Sequence, residues 1–250
     1  MNRTTAMDAA RASADASRGR AGSAAMGRCF EPIDRAWVAL RPGVVGGAIA
    51  SWLAERGSLT RRLRAGCGRL QLILLRQRAA RPLPDELALL GLRRGRYAWV
   101  REVLLLADGR PVLYAHSVAR SSSLRTAWRP LSKVGLRPVG DAIFDRHGTQ
   151  RGPIRVRRLQ PADRLHRAAG RALGVGAGRL PALWARRSPF VHAGEALWIT
   201  EVFLPAIAGV GARPGRNEAQ VPAAAPATSD GWSKASGMRG NDGGRHLDAR

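Results

Sequence analysis

Cysteine and lysine are almost missing from this 250-residue chain. Cys29 and Cys67 are its two cysteines, and Cys29 falls in a stretch without apolar periodicity, so no structural disulfide is expected. Lys133 and Lys234 are the only lysines; the rest of the 42 basic residues are arginines. His116, His147, His166, His192 and His246 fall at no metal-ligand spacing, which predicts no metal site. The run Gly174-Val-Gly-Ala-Gly178 lacks the third glycine of a dinucleotide fingerprint and its strand–helix setting, so no nucleotide cofactor is predicted either. No apolar core of the kind a signal peptide needs stands near the first residue, and no run reaches the ~18 apolar residues of a membrane helix. The chain is therefore expected to be cytoplasmic, without membrane insertion. Aromatic residues make up 5% and are not interleaved with arginines as a base-stacking surface would require. Despite a formal charge of +24, no specific nucleic-acid partner is expected.

What is present is enough for one sizeable core: 45% of residues are hydrophobic. Residues 1–36 and 214–250 are rich in Ala, Gly, Ser, Pro and Arg without periodicity, and are predicted to be disordered tails. Residues 37–213 form the predicted domain, and with 31 basic against 10 acidic residues they carry nearly all the excess charge. Val45, Ile49, Trp52 and Leu53 recur at helical spacing, with Gly57 as a stop. Ser58 is suited to cap a second short helix with Leu59 and Leu63 on one face. Leu70–Leu75 reads as a strand, and Pro84–Leu90 as a short helix with acids in its first turn. Asp108-Gly109 joins Val100–Leu106 and Val112–Val118 in a hairpin. Leu124–Gly135 reads as helix or irregular, Ile154–Leu159 as a strand, Pro161–Leu173 as a helix, and strands near residues 190 and 200 close the domain. The predicted class is α+β, a single domain with an antiparallel β-sheet flanked by helices.

Two strand-like stretches break their own pattern. Glu195–Pro205 is apolar on both faces, as a central strand would be, yet Glu201 shares a face with Ile199 and Phe203. In Trp99–Leu106, Arg101 shares a face with Trp99, Val103 and Leu105. A buried charge needs a partner or a change of protonation. Either the two groups form an internal salt bridge, or they are the two poles of a small dry site for a polar ligand.

Several segments, in order, resemble the chorismate pyruvate-lyase (chorismate lyase) family. They are Trp52-Leu53 with Ser58-Leu-Thr-Arg-Arg62; Leu83-Pro-Asp-Glu-Leu-Ala-Leu-Leu90; Trp99-Val-Arg-Glu-Val-Leu-Leu-Leu-Ala-Asp-Gly-Arg-Pro111; Arg137-Pro-Val-Gly140 with Phe144; and Leu183-Trp-Ala-Arg-Arg-Ser188 followed by Leu197 to Pro205. The resemblance spans roughly residues 45–206 and implies a chorismate lyase-like fold with the ligand enclosed beneath flaps. It implies elimination of pyruvate from chorismate to give 4-hydroxybenzoate, the first committed step of ubiquinone biosynthesis, in a monomer without cofactor. It also implies that Arg101 binds the ring carboxylate, that Glu201 contacts the 4-hydroxyl, that the backbone at Val139 helps hold the carboxylate, and that Leu59 covers the pocket. Glu201 and Arg101 are thus the candidate catalytic residues, and Leu59 and Val139 join them in substrate binding. The chain departs from the family at Ala115-His116, where Gly-Arg is usual, and at Arg120, where proline is usual. His116 is expected either to bind an anion when protonated or to face solvent. The competing class is a non-catalytic domain of the same fold that binds small acids as effectors.

Overall fold

The central element of the sheet is β8 (Glu195–Phe203), and it is central because both of its faces are apolar. The computed structural model describes residues 36–211 except 42, 44, 145, 177 and 178, all within the unit Met1–Arg213. The stretches predicted as tails, apart from Ala36, lie outside the described residues, as do residues 212 and 213 of the predicted domain. Among the described residues eight strands form one antiparallel sheet. They are β1 (Val38–Ala39), β2 (Leu70–Ala80), β3 (Ala98–Ala107), β4 (Arg110–Ala119), β5 (Gln150–Arg151), β6 (Arg155–Leu159), β7 (Leu183–His192) and β8. Their order is β1-β6-β7-β8-β4-β3-β2, with β5 pairing β7 off this path.

Two tight turns set the registers. At the β3–β4 hairpin Asp108 and Gly109 have φ of 49° and 78°, the left-handed pair that matches the twist of the flanking strands. The Asp108 carboxylate also accepts from the backbone N–H groups of Gly68 at 3.3 Å and Arg69 at 2.7 Å, fixing where β2 begins. Between β7 and β8 the turn is Ala193-Gly194, with φ of 47° and 75°.

Helices cover both faces. On one lie α1 (Ala48–Ala54), α2 (Leu59–Gly66) and α4 (Val139–Phe144); on the other lie α3 (Pro84–Leu89) and α5 (Arg164–Ala172). Ser58 caps α2 as its sequence predicts: its Oγ accepts from the Arg61 N–H at 3.3 Å, and Leu59 and Leu63 are both buried. The first helix begins at Ala48 rather than near Val45, which still packs against the core. Leu124–Gly135 resolves into two short 3-10 turns, Ser123–Arg125 and Arg129–Lys133, because Pro130 interrupts any longer helix.

On the α1/α2/α4 face the core is divided. One apolar cluster gathers Trp52, Leu53, Leu59, Leu105, Leu113 and Phe203; a second gathers Trp99, Leu131, Val139, Phe190, Leu197 and Ile199. A cavity lies between them.

Candidate active site

The cavity exists because the strand that crosses its floor carries small side chains. Cross-strand pairing aligns Arg101 on β3 with Ser117 on β4, Ile199 on β8 and Ser188 on β7. The next row aligns Val103, Ala115, Glu201 and Arg186. Ala115 and Ser117 thus leave a hollow between longer neighbours. Leu59 and Thr60 of α2 form one wall; Pro138, Val139, Gly140 and Phe144 form the other. Space for the centres of water-sized molecules amounts to about 50 Å³. An enclosed water needs on the order of 10–15 Å³ by this measure, so the cavity has room for a few waters.

All four residues singled out from the sequence line this one cavity: Leu59, Arg101, Val139 and Glu201. Arg101 is 1% exposed. Its terminal nitrogens donate to Gln77 Oε1 at 3.1 Å, to the Gly135 carbonyl at 3.2 and 3.0 Å, and to the Arg137 carbonyl at 2.9 Å. Its Nε is buried without a partner. Every acceptor around it is neutral, and among the described residues no carboxylate pairs with it. Burial accordingly lowers the guanidinium pKa to about 10, which leaves it charged at neutral pH. Val139 opens α4, so its N–H falls among the donors that a helix leaves without internal partners.

Glu201 has a different partner from the one considered in the sequence. Its Oε2 accepts from Nε of Arg186, its cross-strand neighbour on β7. Arg186 is 1% exposed and also donates to the carbonyls of Trp52 and Glu55. Arg101 and Glu201 therefore do not form an internal salt bridge with each other. They occupy neighbouring rows on strands separated by β4, with small residues between them.

A third guanidinium, Arg151 on β5, completes the charged lining. Its Nε donates to Ser188 Oγ at 3.0 Å, and its Nη1 donates to carbonyls of the loop joining α1 to α2, the nearest being Arg56 at 2.8 Å. Its guanidinium lies 5.2 Å from the Phe190 ring centre. Burial first, and then the charge of Arg186, lowers its pKa to about 10. The cavity thus sets Arg101, Arg151 and Arg186 against the single carboxylate of Glu201, an excess of two positive charges among apolar walls.

Sequence reasoning passed over Arg151 and Arg186. Arg186 carried a usable signal, a charge between the apolar positions of a strand, but Arg186-Arg187 as a pair resembles a solvated edge. Arg151 offered none, since its strand is two residues long. His116 does not face solvent, and the anions it meets belong to the protein and not to a ligand. It is 3% exposed, faces away from the cavity, and lies between the carboxylates of Glu86 and Glu102. Strand alternation puts residue 116 on the opposite face from Ala115 and Ser117.

The family model for chorismate lyase matches residues 42–209. A protein of Azoarcus sp. named "Probable chorismate pyruvate-lyase" is 44% identical over 175 residues, covering 70% of this chain and 93% of that one. A protein of Aromatoleum aromaticum with the same name is 48% identical over 158 residues, covering 62% and 84%. Among solved structures, the PhnF C-terminal domain is similar at a TM-score of 0.43 and 15% identity, covering 57% of this chain and 87% of that one. With two thirds of its length matched by the family model and relatives above 40% identity, the chain belongs to the chorismate lyase family.

Proposed function

We propose that this protein is a chorismate pyruvate-lyase, converting chorismate to 4-hydroxybenzoate and pyruvate. The observation that carries the reading is the charge of the cavity: two positive charges in excess, set in an apolar enclosure. Chorismate is the complementary object, an apolar ring bearing two carboxylates.

The chemistry asks for positioning more than for reactive groups. The C3–oxygen ether bond breaks, and the enolpyruvyl group leaves with the electron pair. C4 loses its hydrogen, the ring becomes aromatic, and the enol takes a proton at its methylene carbon to become pyruvate. Aromatisation drives the reaction downhill, so the protein's task is to hold the ether in a reactive geometry and exclude water. Arg101 is suited to the ring carboxylate: its planar fork stays charged when buried, and its Nε has no competing partner. The Val139 N–H supplies a further donor to the same carboxylate. Glu201 accepts from the C4 hydroxyl through the carboxylate edge that Arg186 leaves free. Leu59, at the start of α2, shields the ring.

The reading is tested by mixing the purified protein with chorismate and following the product by ultraviolet absorption and pyruvate by a coupled assay. Equal amounts of 4-hydroxybenzoate and pyruvate, above the uncatalysed rate, are expected. Tight binding of 4-hydroxybenzoate with no turnover would favour an effector-binding domain and overturn the proposal.

A further inference from the structure

We infer that Arg151 receives the second carboxylate of the substrate, the one on the enolpyruvyl ether, while Arg101 receives the first. The inference rests on the reading of the cavity as a chorismate site and adds a residue that the sequence did not single out.

Position is the first argument. The row Arg101, Ser117, Ile199, Ser188 crosses β3, β4, β8 and β7. Arg101 stands at one end, and Ser188, hydrogen-bonded to Arg151 Nε at 3.0 Å, stands at the other. Backbone to backbone the two ends are roughly 14 Å apart, three strand spacings. A ring lying over Ser117 and Ile199 has one guanidinium at each end. In chorismate the ring carboxylate is on C1, while the hydroxyl and the ether occupy the adjacent carbons C4 and C3. With the C1 carboxylate on Arg101, the hydroxyl and the ether both point toward β8, which carries Glu201, and β7, whose Ser188 holds the Arg151 guanidinium.

Availability is the second argument. Arg186 already faces the Glu201 carboxylate through Nε and backbone carbonyls through Nη1, so its charge is matched. Arg151 has only neutral acceptors: the Ser188 hydroxyl and the carbonyls of Glu55, Arg56 and Gly57. Among the described residues its Nη2 has no hydrogen-bond partner. Those contacts hold the guanidinium in one orientation, so little side-chain freedom is lost when a carboxylate binds. Phe144 and Phe190 flank the half-buried guanidinium at 6.0 and 5.2 Å.

The test compares two unreactive ligands that differ only in the C3 substituent that brings the second carboxylate: 4-hydroxybenzoate, and 4-hydroxybenzoate carrying a carboxymethyl ether at C3. Calorimetry on the full-length protein is expected to show tighter binding of the dicarboxylate. In Arg151→Gln that advantage should disappear, a loss of roughly tenfold or more, while 4-hydroxybenzoate binds within about twofold of the parent. Arg151→Lys, which keeps a charge, should recover part of the advantage. A parent protein that binds the dicarboxylate no tighter overturns the inference on its own, whatever the variants do. Equal weakening of both ligands in Arg151→Gln also overturns it, since that marks a loop-holding role only. Lack of chorismate turnover by the parent would instead sink the lyase reading, so the two failures are distinguishable.

Discussion

On one face of the central strands the row Arg76, Glu102, His116, Thr200, Arg187 runs across the sheet; on the other, one residue along, runs Gln77, Arg101, Ser117, Ile199, Ser188. The first row is closed by its own charges. Arg76 pairs with Glu102, His116 lies 3.1 Å from Glu102 and 3.1 Å from Glu86, and Arg187 lies 2.6 Å from Asp85. Three cations meet three carboxylates. Burial works against both His116 and Glu102, yet the mutual attraction wins: the imidazole is pushed up to about 9 and the Glu102 carboxyl down to about 2. The cavity on the second face is lined by as many cations, Arg101, Arg151 and Arg186, but by one carboxylate, Glu201. A buried charge left without an internal partner is tolerated where a ligand supplies one, and that separates a structural charge cluster from a binding site.

The comparison is broken most severely by opening the balanced face. Glu86→Ala removes a buried carboxylate from between His116 and Arg187 and should cost about 3–5 kcal/mol of stability, a fall of roughly 10 °C in Tm. A variant melting within a degree or two of the parent would show that this cluster does not hold the sheet together. Arg101→Ala attacks the unbalanced face. Losing the charged partner of a ligand carboxylate should lower kcat/KM by about 2–4 kcal/mol, roughly a hundredfold, and weaken product binding with it. Its melt should move less than that of Glu86→Ala, because no buried carboxylate is stranded; the reverse ordering of the two melts would contradict the contrast.

Glu201→Gln falls between. It leaves the buried Arg186 charge with a neutral acceptor, so a loss of about 1–3 kcal/mol in stability is expected, together with a lower kcat. Unchanged kinetics in a folded variant would remove Glu201 from the site. The most gradual effect is a pH dependence. The folded pKa of His116 is raised, so its contribution is complete below pH 6.5 and is lost as pH rises through about 9, at about 1 kcal/mol per unit of pH at the steepest. The Glu102 contribution has the opposite sense, present above pH 4.5 and lost toward about 2. The Tm should therefore decline from pH 6.5 toward 9 in the parent and stay flatter in His116→Gln, and parallel curves would refute the assignment.

Local chemistry was readable without coordinates. Asp108-Gly109 announced its hairpin because left-handed φ values select those residues. Ser58 announced a helix start because its hydroxyl satisfies an orphan N–H. Arg101 and Glu201 stood out because strand side chains alternate with period two, so a charge among apolar residues on one face is visible in the residue order alone. The Ala193-Gly194 turn was less legible, since alanine is no turn signal and takes its φ of 47° from the strands it joins.

What charges meet was decided only by the fold. Asp85 and Glu86 read as acids favouring the first turn of α3, and Glu86 does accept from the Leu83 N–H at 2.8 Å. Their larger role, neutralising Arg187 and His116, depends on α3 packing against the face opposite the cavity. In the same way, Glu201 meets Arg186 and not Arg101 because β8 pairs with β7 on one side and β4 on the other. Residue order specifies which face of a strand each side chain takes. Strand order and register specify which charge stands opposite it, and those follow from long-range pairing that no local pattern contains.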